Sequence, residues 1–205
     1  MSKTKAFKIN FLDQEFLTNC LLEKASQQLD LSIEGDIVLK EIWRLRLSQS
    51  FSLLEQGAES PIEKIFGNAL FFGLFANGPS LVSVPLGRNP NNEPIVDEIQ
   101  NLVQSTDFHL IPNFWIDKKT RVDFVLANFA DYTKTEEIGP LIVIECDGFR
   151  WHNSPDSFAK ESARERRIIT AGHHLFRFSG REINEDPISA VNEILDFIAK
   201  KQQDA

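Results

Sequence analysis

A chain of 205 residues with 42% hydrophobic and 25% charged side chains suits one globular domain with room for a helical extension. Its formal net charge of −8 argues against a non-specific nucleic-acid coat, because phosphate is drawn to basic surface. The only cysteines, Cys20 and Cys146, offer neither a disulfide framework nor zinc spacing, which points to a reducing cytoplasm. No apolar run approaches the ~20 residues of a membrane span, and none behind the first residues suits a signal peptide, so the expectation is a soluble protein with no membrane partner.

Residues 11–31 place Phe16, Leu17, Cys20, Leu21, Ala25 and Leu29 near a helical period, and 37–54 do the same through Leu39, Ile42, Trp43, Leu47 and Leu54. Both helices lack chemical residues. They serve packing, the favoured reading, or a partner, whether a second copy or another protein. A third helix opens at Ser60-Pro61-Ile62-Glu63, where Ser60 caps, Pro61 suits the first helical position and Glu63 completes a capping box. It runs through Phe66, Leu70 and Leu74 to Asn77-Gly78. A strand over Leu81–Leu86, a loop from Gly87 to Asn92 and a short helix from Pro94 to about Val103 follow. His109–Ile116 and Arg121–Phe129 read as strands around a hairpin turn at Asp117-Lys118-Lys119-Thr120. After a polar loop over Ala130–Gly139, Leu141–Asp147 is the strongest strand. A helix from Pro155 ends at Gly172, a strand covers His174–Phe178, and Pro187–Lys200 closes the chain as a helix. The natural division is a helical N-terminal extension, 1–57, and an α/β domain, 58–205.

Alternation along Leu141–Asp147 puts Glu145 and Asp147 on one face. Two carboxylates there repel each other unless a cation meets them, and a divalent ion reverses that sign. The alternative is a strand end running into solvent. Asp123, inside the apolar Arg121-Val122-Asp123-Phe124-Val125, is disfavoured by propensity and burial. Three acids from neighbouring strands make a hard-oxygen site suited to Mg²⁺ or Mn²⁺; the alternative pairs Asp123 with Arg121 or another base. Glu63 fits an outer ligand as well as it fits a cap. His152, with a pKa near neutrality, is a candidate proton carrier or simply an exposed loop residue. Lys160, Arg164 and Arg167, at i, i+4 and i+7, share a helical face that would bind phosphate or merely be solvated. They belong to a basic stretch, Lys160 to Arg181, that includes Arg166 and Arg177. His173 and His174 cannot both point at one site on a strand and are read as structural.

The run Leu141-Ile142-Val143-Ile144-Glu145-Cys146-Asp147-Gly148, then Trp151-His152, then Arg164 through Gly172 to Arg177-Phe178, resembles the very-short-patch-repair-like branch of the PD-(D/E)XK nuclease superfamily. Glu63 and Asp123 stand in the order that family uses for its first-helix and second-strand acids. The resemblance covers roughly Ser60 to Ile183, apart from Leu81–Val103. It implies a restriction-endonuclease-like αβββαβ core, a divalent metal and phosphodiester hydrolysis in nucleic acid, DNA favoured. On that basis Asp123, Glu145 and Asp147 are the expected metal ligands, Glu63, His152 and Lys160 further catalytic residues, and Lys160, Arg164 and Arg167 the phosphate contacts. Two departures stand out. Val122 replaces the proline, and Asp147 replaces the lysine of the Glu-x-Lys motif, as in related branches with a Glu-x-Asp-Gly form. The water-positioning cation must then come from elsewhere, with Lys160 or His152 as candidates. The competing expectations are a catalytically inactive nuclease-fold protein that binds nucleic acid or a protein, and a structural subunit acting through its N-terminal helices.

Overall fold

The computed structural model describes residues 9–28, 37–77, 82–83, 108–128, 140–147 and 155–203. The helix expected near 94–103, the loops at 87–92 and 130–139, and the segment from Gly148 to His152 lie outside them, as does most of the strand expected at 81–86.

In chain order the elements are α1 (Gln14–Gln28), α2 (Ile37–Gly57), α3 (Pro61–Asn77), β1 (Val82–Ser83), β2 (Phe108–Trp115), β3 (Arg121–Asn128), β4 (Ile142–Asp147), α4 (Pro155–Thr170), β5 (His174–Ser179), α5 (Gly180–Glu185) and α6 (Pro187–Gln203). The strands form one mixed sheet in the order β1-β2-β3-β4-β5. β1 and β2 are parallel, β2/β3 and β3/β4 antiparallel, and β4/β5 parallel, with α4 as the crossover between the last two. The fold is therefore mixed α/β.

Alternation along the strands divides the core into two layers. On one face Phe124, Leu126, Ile142, Ile144, Cys146 and Phe178 join Leu17 and Leu21 of α1, Phe51 and Leu54 of α2, Phe66 and Leu70 of α3, and Val191 and Ile194 of α6 in one buried cluster. On the other face Ile111, Val125 and Val143 meet Ile168 of α4. The apolar stripes of α1 and α2 are thus part of the same core as the sheet. Phenylalanine supplies much of that layer without a hydroxyl to satisfy. Phe66 stacks on Phe178 at 5.2 Å, and Phe51 meets Phe71 edge-on at 5.0 Å. Each such ring is worth about 1.5–3 kcal/mol of apolar burial.

The ends follow local chemistry. Asp117 accepts from the Lys119 N–H at 2.6 Å and the Thr120 hydroxyl at 3.1 Å, fixing the β2–β3 turn. α4 stops at Gly172, whose φ of +85° suits glycine. There the His173 N–H reaches the Ile168 carbonyl at 3.2 Å and the Gly172 N–H the Ile169 carbonyl at 3.0 Å, a Schellman closure. α5 was not expected from periodicity, since six residues carry too little of it. Its signal was a capping box, with Ser179 as N-cap and Glu182 at N3. On β2, Asn113 takes a left-handed φ of 52°, which asparagine tolerates, between the pairs Pro112↔Phe124 and Phe114↔Val122. Its amide donates to the Gly57 carbonyl, tying the end of α2 to the sheet. No described helix is long and apolar enough to cross a membrane.

Candidate active site

The β3/β4 register pairs Val125 with Val143 and Phe124 with Ile144, so one residue further on Asp123 faces Glu145. In the parallel pair β4/β5, Glu145 is registered with Arg177. Asp123, Glu145 and Arg177 therefore make a row across three adjacent strands, on the face covered by α4. Asp147 lies on the same face of β4, two residues on.

Each acid has a defined partner. The Cys146 N–H donates to Asp123 Oδ2 at 2.7 Å, so a side chain takes a backbone donor just beyond the Phe124↔Ile144 pair of β3 and β4. Glu145, only 5% exposed, accepts from Arg164 Nη2 at 2.5 Å. The same Arg164 nitrogen donates to the Arg121 carbonyl, and Nη1 lies 3.4 Å from Glu161. Both oxygens of Asp147 accept from one edge of a guanidinium, with Arg177 Nη2 at 2.8 Å and Nε at 3.0 Å. Arg177 also donates to Glu165 and lies 3.6 Å from Glu161. Arg121 does not pair with Asp123. It forms a fork to Glu59 at 2.6 and 2.7 Å.

Glu63, 9% exposed, is engaged as the cap that the sequence allowed. Its carboxylate accepts from the Ser60 hydroxyl and the Glu59 N–H, each at 2.7 Å, which is a helix cap. Its charge nevertheless reaches Asp123 and raises that residue's pKa.

Burial pushes Asp123 up to about 6, with Glu63 and Asp147 adding to the rise and the Cys146 N–H and Arg164 opposing it. Burial, and then the charge of Asp123, lift Glu145 to about 8 against the pull of Arg164 and Arg177. The hydrogen bonds that Arg177 donates to Asp147 hold its pKa above the ordinary value. The Cys146 thiol is raised by burial and by the surrounding acids, so it stays protonated and inert. The centre therefore carries more negative charge than its arginines neutralise.

Among the described residues no three acidic, imidazole or thiol side chains stand together as a ready-made metal cluster. Glu145 turns to Arg164 and Asp147 to Arg177 instead. Asp123 and Glu145 still fit a divalent ion by donor chemistry: both present hard oxygens, they face each other, and burial plus mutual repulsion disfavours their ionised forms.

The three cations expected on one face of α4 divide by rotation about the helix. Arg164 turns inward to Glu145, whereas Lys160 and Arg167 are exposed, the latter close enough to lower the pKa of Asp117 in the β2–β3 turn. His152 lies outside the described residues. His173 accepts from the Leu141 N–H at 3.3 Å, and His174 packs edge-on against Phe197. Arg177 was legible as part of a basic stretch and as the end of the motif resemblance, but with no site role. Its site role depends on β5 lying beside β4, and Glu161 and Glu165 acquire theirs with it.

No protein-family profile, curated protein or solved structure matches the chain.

Proposed function

We propose that the chain is a metal-dependent nuclease hydrolysing phosphodiester bonds in nucleic acid, with DNA the favoured substrate. The observation that carries this reading is the facing pair Asp123 and Glu145, one half-buried and one buried acid with raised pKa values on the face lined by α4, which carries Arg164. The order α3-β2-β3-β4-α4-β5, with two antiparallel pairings and then a parallel one, supports the αβββαβ core that the motif resemblance implies.

Asp123 and Glu145, with the Cys146 carbonyl, would hold a Mg²⁺ or Mn²⁺ ion. When bound, such an ion lowers the pKa of a coordinated water and stabilises charge on the phosphate. Arg164, paired with Glu145 in this structure, would be the residue placed to bind the scissile phosphate once Glu145 is committed to an ion. Lys160 and Arg167, exposed on the same helix, bind flanking phosphates, and Glu63 adds negative charge behind Asp123. His152 retains its sequence-based assignment beside the leaving oxygen.

The test is incubation of the full chain with labelled single- and double-stranded DNA and RNA, in Mg²⁺, Mn²⁺ or EDTA, beside Glu145→Ala. Cleavage should need metal and vanish in the variant. The arginine pairs on Glu145 and Asp147 favour a second reading, in which a nuclease fold is kept for binding nucleic acid or a protein. That reading wins if nothing is cut while binding persists in EDTA and in Glu145→Ala.

A further inference from the structure

The motif lysine is replaced by Asp147, yet the site is not short of a fixed cation. Arg177 reaches it from the next strand, in register with Glu145. Its guanidinium is gripped by both oxygens of Asp147, at 2.8 and 3.0 Å, and lies against Glu165 and Glu161 from α4. Three carboxylates arranged around one planar fork fix both its position and its plane, which a flexible ammonium could not match. The side chain is 22% exposed, so one edge of the site remains reachable from solvent. The cations expected to serve from α4 stand differently: Lys160 is exposed, and Arg164 is engaged with Glu145.

The geometry points to Arg177 as the fixed cation of this site and to Asp147 as the residue that orients it, leaving Asp123 and Glu145 as the ligand pair for a single divalent ion. This inference rests on the nuclease reading above. A carboxylate with both oxygens committed to one guanidinium cannot also ligate a second ion without releasing it. Arg177 then supplies a preorganised positive charge for the phosphate, worth about 10²–10³ in turnover for a well-placed donor. Asp147, which acts through Arg177, is a positioning residue in this scheme.

Titration of the full chain with Mn²⁺, followed by electron paramagnetic resonance, separates the assignments without relying on activity. One ion per chain is expected for the wild type and for Asp147→Asn, and none over the same range for Asp123→Asn. Arg177→Gln, which releases Asp147, Glu161 and Glu165, should admit a second ion, whereas Arg177→Lys should not. Where cleavage is measurable, Arg177→Gln should lower kcat about a hundredfold with little change in KM, and Arg177→Lys should restore part of the loss. Melting curves establish that the variants are folded, and Asp147→Asn decides the question if Arg177→Gln is not. Two ions in the wild type falling to one in Asp147→Asn would overturn the assignment. So would loss of Mn²⁺ in Asp147→Asn as complete as in Asp123→Asn. A wild type that takes up no Mn²⁺ removes the nuclease reading itself, and this inference with it.

Discussion

Replacing Glu145 by glutamine should make the metal-free protein more stable. The carboxyl is 5% exposed, and burial followed by the charge of Asp123 raises its pKa from 4.5 to about 8. In the unfolded chain at about pH 7.5 the group is ionised, so folding obliges it to take up a proton. At 1.36 kcal/mol per pH unit over about three units, that uptake costs roughly 4 kcal/mol. Glutamine avoids the uptake and can still accept from Arg164, while the bulkier amide fits the buried position less well and offsets part of the benefit, so a net gain of about 1–3 kcal/mol is expected. For a chain of this size this corresponds to a Tm rise of about 2–4 °C per kcal/mol. The linkage has a definite sign. A carboxyl whose folded pKa is raised contributes stability that is present below pH 4.5 and is lost as pH rises through 8. In EDTA, the advantage of Glu145→Gln should therefore widen across that window and then level off. Urea or thermal melts at several pH values measure it. A variant that melts below the wild type throughout, or a gap indifferent to pH, would refute the electrostatic account. In saturating Mn²⁺ the order should reverse, since only the wild type gains the ion's binding energy.

Arg164→Gln removes the internal cation 2.5 Å from Glu145, so it should tighten Mn²⁺ binding several-fold while weakening affinity for nucleic acid; calorimetric titration and filter binding would check the two halves separately. A Cβ added to Gly67 would lie 2.9 Å from Cε1 and Cζ of the fully buried Phe124, so Gly67→Ala should cost about 1–3 kcal/mol in urea unfolding. His109 on β2 is fully buried, and burial lowers its pKa from 6.5 to about 4, so the unfolded chain binds the proton more readily. Relative to His109→Gln, the wild type should lose about 3 kcal/mol between pH 6.5 and 4, read from denaturant midpoints corrected for slope.

Much of the scaffold was legible because its signals are local. Ser60, Pro61 and Glu63 announced the start of α3, and Gly172 the end of α4. Strict alternation showed that Glu145 and Asp147 share a face, and the acid within β3 marked Asp123 as costly. What stayed hidden depends on long-range neighbours. Residues 160, 164 and 167 define a common helical stripe, but spacing says nothing about the rotation that turns Arg164 inward and leaves Lys160 exposed. The pairing of Asp147 with Arg177 exists only because β5 adds parallel to β4 after the α4 crossover, and no periodicity encodes that adjacency. Arg121, a reasonable local partner for Asp123, pairs instead with Glu59 just before α3.

The row formed by Asp123, Glu145 and Arg177 also bears on how the sheet finds its register. Strand β4 is apolar on both sides except for its acids, so hydrophobicity alone would tolerate a shift by one residue. Such a slip turns every side chain to the opposite face. It would send Glu145 among Phe66, Phe124 and Phe178, away from Arg164 and Arg177, and would bring Ile144 out to the charged side. A buried carboxylate without a partner is far costlier than any apolar contact regained. The charges that weaken the correctly assembled sheet therefore penalise its nearest competitor more heavily, so the acids make the pairing of β3, β4 and β5 single-valued even before any substrate arrives.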